Sequence, residues 1–273
     1  MICLKNAVDV DSIELMDRAF HYGDGCFSTA RLFHDHFELE NLHLARLKIS
    51  AERLRLDIDL DLLQKSLDVL RSRVGELNGT LKIMISRGSG QRGYSLPDQK
   101  ADLYCLFFPQ NLFPHQMDII NSGSLNTAIG LQMPNLVGIK SLNRLEQVIL
   151  KREADQRQWS EAIVTDVQGS VVEGVSSNCF FKINKQWITP ELRYNGVHGV
   201  MRAHILCKMK AHGIECEQRY VEMDEIEKIE SLFFCNALHP MKAVHQFNQT
   251  FLDVQPCSEL FKSLQLNQMR DYV

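Results

Sequence analysis

The chain has 273 residues, 45% of them hydrophobic, and a formal net charge of −4. Length and apolar content suffice for one large buried core or two of ordinary size. The basic residues are dispersed and no apolar run approaches the roughly 20 residues of a membrane span, so neither nucleic acid nor a bilayer is an expected partner.

Residues 1–11 carry acids early and lack a long apolar core followed by small residues, so no signal peptide is expected. Cys26 to Phe33 and Phe37 to Leu39 read as a hairpin, with His34 and His36 flanking its acidic turn as loop residues rather than metal ligands. Leu44, Leu47, Ala51 and Leu54 then follow helical spacing, and Leu60 to Leu77 repeats it, which predicts two helices. Leu81 to Ser86 and Leu103 to Phe108 are apolar runs of strand length. This is an α+β layer, and Pro109 and Pro114 place an inter-domain connection after it.

Between the two later strands lies Gly88-x-Gly90-x-x-Gly93, the spacing of a dinucleotide fingerprint. That reading is rejected, because a Rossmann turn opens a helix and the following residues 94–98 read as loop. Arg87 and Arg92 in this loop suggest the handling of an anion, with plain surface exposure as the alternative.

Downstream, Leu125 to Leu131, Ala162 to Thr165, Val171 to Glu173, Cys179 to Ile183 and Trp187 to Thr189 are strand-like. A helix interrupts them: Asn143 and Glu146 have the spacing of a capping box, and Leu142, Leu145 and Ile149 share a face. Lys140 falls just before that helix, where an amine can be held rigidly for covalent chemistry; on spacing alone a solvated surface lysine is the favoured reading. Gly196 to Arg202 precedes a further helix that runs to Lys210. The eight cysteines are scattered without C-x-x-C spacing, and the histidines include no H-x-x-x-H pair, so reduced cytoplasmic thiols and no zinc site are expected.

Four segments, taken in order, carry a family resemblance: Asp17 to Gly25, Ile85 to Ser95, Gly138 to Val148 and Val171 to Asn178. Together they are similar to the class IV, fold type IV family of pyridoxal-phosphate enzymes. The resemblance implies an α+β protein with a small two-layer α/β domain over 1–113, a linker over 114–121, and a larger pseudobarrel domain over 122–273 that carries the Schiff-base lysine. It also implies pyridoxal phosphate as cofactor, held between the domains, and a homodimer. Gly25 to Arg31, the Arg87 to Tyr94 loop, the lysine segment and Cys235 to Leu238 resemble the lyase branch of the family. That branch splits 4-amino-4-deoxychorismate into 4-aminobenzoate and pyruvate for folate synthesis. An aminotransferase for branched-chain or D-amino acids is the alternative on the same framework.

Such a cofactor needs an amine for its aldehyde, an acid for its ring nitrogen and donors for its phosphate. By resemblance Lys140 supplies the amine, Glu173 the acid, and Asn178 lies along the cofactor edge. Arg46 and Asn236 match phosphate contacts of the family, and the amides of Val200 and Met201 resemble its phosphate cup, where free N–H groups at a helix start suit an anion. Each has an ordinary alternative: a solvated acid, a turn residue, a surface arginine, a strand end. Thr29, Arg31, Arg87 and Tyr94 are the candidates for the substrate pocket. A silent phosphate-ligand binder needs neither Lys140 nor Glu173, and no role falls to His198 or His239.

Overall fold

The computed structural model describes residues 1–269, so residues 270–273 of the expected second domain lie outside the described residues. The chain divides into two units. One holds Met1–Phe113 and Ile139–Asn143, the other Pro114–Gly138 and Arg144–Met269. Class and architecture are mixed α and β, with one sheet in the first unit and two in the second.

In the first unit, chain order is β1 (Ile2–Lys5), β2 (Val8–Asp9), α1 (Arg18–Tyr22), β3 (Gly25–Phe33), β4 (His36–Phe37), α2 (Glu40–Leu54), α3 (Asp61–Val74), β5 (Gly79–Ser86) and β6 (Asp102–Pro109). The strands form one antiparallel sheet in the order β2-β1-β6-β5-β3-β4. His34 and Asp35, at φ +50 and +62, make the tight two-residue turn between β3 and β4. Alternation along β3 sends Cys26, Ala30 and Leu32 into the core with Leu47, Leu67, Leu81 and Phe107. Phe27, Thr29 and Arg31 consequently share the opposite face of the sheet. Helix α3 stops earlier than the periodicity predicts because Gly75, at φ +74, turns the chain after Val74.

In the second unit the order is β7 (Asp118–Ser122), α4 (Leu145–Gln156), β8 (Ile163–Thr165), β9 (Val171–Gly174), β10 (Asn178–Ile183), β11 (Gln186–Pro190), α5 (Val200–Ala211), β12 (Cys216–Arg219), β13 (Ser231–Asn236), β14 (His239–Phe247), β15 (Thr250–Phe251) and α6 (Gln255–Ser263). Strands β12-β11-β10-β13-β14-β15 form a mixed sheet, with β7 pairing β14 in parallel and β8 pairing β9 apart from it. Phe180 stacks on Phe233 with centroids 4.9 Å apart, and Trp187 meets Phe233 edge-on.

Four further expectations change. Residues 118–121, expected within the linker, belong to β7, whose backbone is paired along β14. Leu125 to Leu131 is not a continuous strand. The Leu125 and Ile129 amides reach Ile163 and Thr165 carbonyls, but those of Asn126 and Thr127 turn to the Glu153 carboxylate at 2.7 and 3.0 Å. The capping box at Asn143 does not form: α4 starts at Leu145 with Arg144 at its cap position and no side-chain cap. The reason lies in the fourth change, that the lysine segment packs with the first unit. The Phe27 N–H donates to the Lys140 carbonyl at 2.9 Å, the Leu142 N–H donates to the Gly25 carbonyl at 3.0 Å, and Ile139 is buried in the first core. Asn143 is thereby held against Gly23, where a Cβ on that glycine would stand 3.0 Å from it.

Candidate active site

Lys140 is placed by backbone pairing along the start of β3, with Ser141 bridged to Cys26. Its ammonium lies 4.8 Å from the centroid of the Phe27 ring. Two residues upstream, Gly138 is fixed within the second unit. Its N–H donates to the Gly196 carbonyl at 3.1 Å, its carbonyl accepts from the His198 N–H at 3.1 Å, and its φ of +80 with the His198 ring alongside excludes a side chain. The chain is thus anchored immediately on both sides of Lys140.

The same face of the first sheet carries Thr29, Arg31 and, through the β3–β5 register, Lys82 opposite Thr29. Arg31 is engaged: it pairs with the buried Glu38 at 3.2 Å, donates to the Phe113 carbonyl and lies over the Phe33 ring. Lys82 lies 5.0 Å from the centroid of the Phe27 ring that Lys140 also approaches.

Beneath β3, Arg46 of α2 donates to the Ser28 hydroxyl, which shares a 2.6 Å hydrogen bond with His43 Nδ1. The Arg46 Nε is buried with no hydrogen-bond partner. Burial pushes the guanidinium down to about 10, and burial with the nearby Arg46 cation holds His43 well below the usual histidine range. A buried cation with an unsatisfied donor is a place for an anion.

The second unit supplies a carboxylate and a helix start. Glu173 on β9 accepts from the Val197 N–H at 2.9 Å and from the Asn178 amide at 3.2 Å, and Asn178 donates again to the Val197 carbonyl at 3.0 Å. Both are buried. Gly199 caps α5 without a side chain, and a Cβ there would overlap Asn178 Oδ1. The amides of Val200 and Met201 are the first two of α5 and have no partner within the helix. Asn236 donates to the Ser177 hydroxyl at 3.1 Å, and its own Oδ1 caps the turn at Leu238 and His239.

Sequence reasoning missed what holds this arrangement. Glu161, fully buried, accepts from the Ser176 N–H at 3.1 Å, from the Ser176 hydroxyl and from the Ser177 hydroxyl at 2.8 Å, so one carboxylate orders the loop between Glu173 and Asn178 and, through Ser177, Asn236. Its only sequence signal is an acid at the edge of an apolar run. Ser28 and His43 were likewise unmarked, although both fall on inward positions of β3 and α2. His198 and His239 have packing duties, the first against Gly138 and the second 3.2 Å from Asp118.

Two substrate-pocket candidates take other places. Arg87 is buried and spends its fork internally: Nε donates to Asp24 at 2.8 Å, and the two terminal nitrogens donate to the Arg55 and Leu54 carbonyls at 2.9 and 2.6 Å. It closes the C-terminus of α2, where those carbonyls lack helical partners. Tyr94 is 86% exposed and meets Tyr22, on a loop tied down by Arg18, whose guanidinium reaches the Gly93 carbonyl at 2.8 Å. No helix follows the glycine run, which removes the dinucleotide reading.

The family model for amino-transferase class IV matches residues 25–247. The aminodeoxychorismate lyase of Vibrio harveyi is 30% identical over 237 residues, 85% of this chain and 86% of that protein. The D-alanine aminotransferase of Bacillus licheniformis is 24% identical over 81% of this chain and 78% of its own length. The crystal structure of 4-amino-4-deoxychorismate lyase from Pseudomonas aeruginosa superimposes with a TM-score of 0.86 at 30% identity, covering 97% of this chain and 98% of the other.

Proposed function

We propose that this chain, which belongs to the class IV amino-transferase family, is a pyridoxal-phosphate-dependent lyase that converts 4-amino-4-deoxychorismate into 4-aminobenzoate and pyruvate, a step of folate synthesis. The observation that carries the reading is the fixed amine of Lys140, seated on Phe27 by backbone pairing in a chain that matches a lyase of that name over 85% of its length.

The residues fit the cofactor. The unsatisfied, buried Arg46 Nε of the first unit suits an anion such as a phosphate, and in the second unit the first amides of α5, at Val200 and Met201, likewise suit an anion. Glu173, already oriented by Val197 and Asn178, suits a protonated pyridine nitrogen. When bound, pyridoxal phosphate supplies an aldehyde for amine exchange and a ring that takes up an electron pair.

The chain's part is to hold and move protons. Lys140 would hold the cofactor through its aldehyde, and the free Nζ would take the proton from the amine-bearing ring carbon of the substrate. The same amine then delivers a proton to the methylene carbon of the enolpyruvyl group as the ether bond breaks and pyruvate departs. Phe27 restricts where the lysine amine can reach, and Glu173 would favour the protonated form of the cofactor's ring nitrogen. The gain of aromaticity in the product drives the elimination forward.

The protein is a cytoplasmic homodimer in this reading. All eight cysteines are free, which suits a reducing compartment, and no helix of the described residues is long and apolar enough to cross a membrane. Leu145, Val148 and Ile149 leave an apolar face of α4 exposed, suited to a second copy. The test is to mix the cofactor-loaded protein with aminodeoxychorismate and follow both products. Equal release of 4-aminobenzoate and pyruvate is expected; a loaded protein that releases neither but transfers amines between amino and keto acids refutes the reading.

A further inference from the structure

We propose that Ser28 and His43 are positioning residues for an anion site: neutral His43 accepts the Ser28 proton, and the hydroxyl so turned holds the Arg46 guanidinium with its Nε free for a phosphate. The inference rests on the reading above that Arg46 meets the cofactor's phosphate, and adds to it the pair that sets that arginine's geometry.

Hydrogen-bond direction carries the argument. His43 and Arg46 lie three residues apart on α2 and so share a face, and Ser28 lies at an inward position of β3 between Cys26 and Ala30. A guanidinium offers no lone pair, so Arg46 can only donate to the Ser28 oxygen. Ser28 is fully buried and has one proton of its own to place. Among the described residues its only other side-chain partner is His43 Nδ1 at 2.6 Å. Nδ1 is therefore the acceptor, which makes His43 the neutral imidazole that carries its proton on Nε2.

The surroundings favour that state. His43 meets Ser28 from β3, the Phe37 ring from β4 at 5.6 Å between centroids, and the Arg46 cation from its own helix. A second ring proton would set two cations about one hydroxyl, and burial together with Arg46 holds His43 well below the usual histidine range. By donating to His43, Ser28 also becomes the stronger acceptor for Arg46, since hydrogen bonds in a chain polarise one another. The Arg46 Nε, buried and without a hydrogen-bond partner among the described residues, is the donor left over from a fork pinned at one corner. Losing the pin returns rotamer freedom to a long side chain and lets Nε swing away.

The test titrates the full chain, freed of cofactor, with pyridoxal phosphate and with pyridoxal, which lacks the phosphate, by fluorescence. His43→Leu and Ser28→Ala are each expected to lower the preference for pyridoxal phosphate over pyridoxal about tenfold, with the affinity for pyridoxal itself held near the wild-type value. His43→Asn, whose side-chain oxygen stands where Nδ1 stood, should restore most of the preference. In an Arg46→Met background His43→Leu should change the preference no further, because the pair acts through Arg46. Loss of packing alone would weaken both ligands alike. That result, or an unchanged preference in His43→Leu and Ser28→Ala, overturns the assignment; Ser28→Ala, a change of one oxygen, decides it where His43→Leu does not fold. A full preference retained by Arg46→Met overturns the assignment together with the phosphate role of Arg46. A wild type that binds pyridoxal phosphate yet releases no 4-aminobenzoate from aminodeoxychorismate overturns the lyase reading alone, and the ligand preference still judges the pair.

Discussion

Replacing Arg87 separates an anion-binding role from an architectural one. Arg87→Met keeps the bulk and removes three donated hydrogen bonds, one to Asp24 and two to the carbonyls that end α2. A charge-assisted hydrogen bond contributes about 1.5–3 kcal/mol, and breaking a buried pair costs about 3–5 kcal/mol. Asp24 keeps Arg18 at 2.8 Å, so its charge is not left alone, and the loss is expected near the lower end, about 3 kcal/mol. For a chain of this size that is a fall in Tm of about 6–12 °C. Although burial pushes the Asp24 carboxyl upward, its bonds to Arg87 and Arg18 hold it below the usual range. Its share of stability is therefore present above the unfolded-state value and lost as pH falls through the folded one, and Arg87→Met should weaken that acid dependence. Thermal unfolding of the loaded protein, followed by circular dichroism, together with KM from the product assay, decides the matter. An unchanged Tm with KM raised tenfold would refute the architectural account and return Arg87 to the substrate.

Lys140→Ala should lower lyase turnover by about 10²–10⁴-fold or more while the melting profile stays cooperative, read from 4-aminobenzoate release beside a thermal scan. Gly199→Ala places a Cβ into Asn178 Oδ1, so Asn178 must move off Glu173 and Val197; cofactor affinity measured by fluorescence titration is expected to drop about tenfold or more, with little change if α5 can shift instead. His43 is held well below its usual range by burial and Arg46, and His204 is pushed down to about 4 by burial and Lys208. The unfolded chain then binds more protons below about pH 6.5, so stability present above that pH should fall as pH drops from 7 toward 5. Denaturant unfolding at the two pH values checks this, and equal midpoints would contradict it.

Local pattern determined a good deal. Alternation in residues 26–33, the 3.6 period of residues 44–54 and the glycine run without a following helix each report on nearest neighbours, which is why the β3–β4 hairpin, α2 and the loop after β5 were legible. The family was legible for a different reason. The segments around Lys140 and Glu173 combine backbone and side-chain demands that few sequences satisfy, so they resemble one family strongly. Partner choice was not legible. Asn143 has the letters of a helix cap, yet pairing along β3 and packing against Gly23 claim it, and no spacing rule weighs those competitors. Arg87 reads as an anion binder until three acceptors, at Asp24, Leu54 and Arg55, converge on it from two distant segments. Glu161 and Lys82 look alike in sequence as charged residues within or beside apolar runs. Tertiary structure makes one the saturated centre of the Ser176–Ser177 loop and leaves the other unpaired on the face that presents Lys140, because hydrogen-bond satisfaction depends on which segments meet in space.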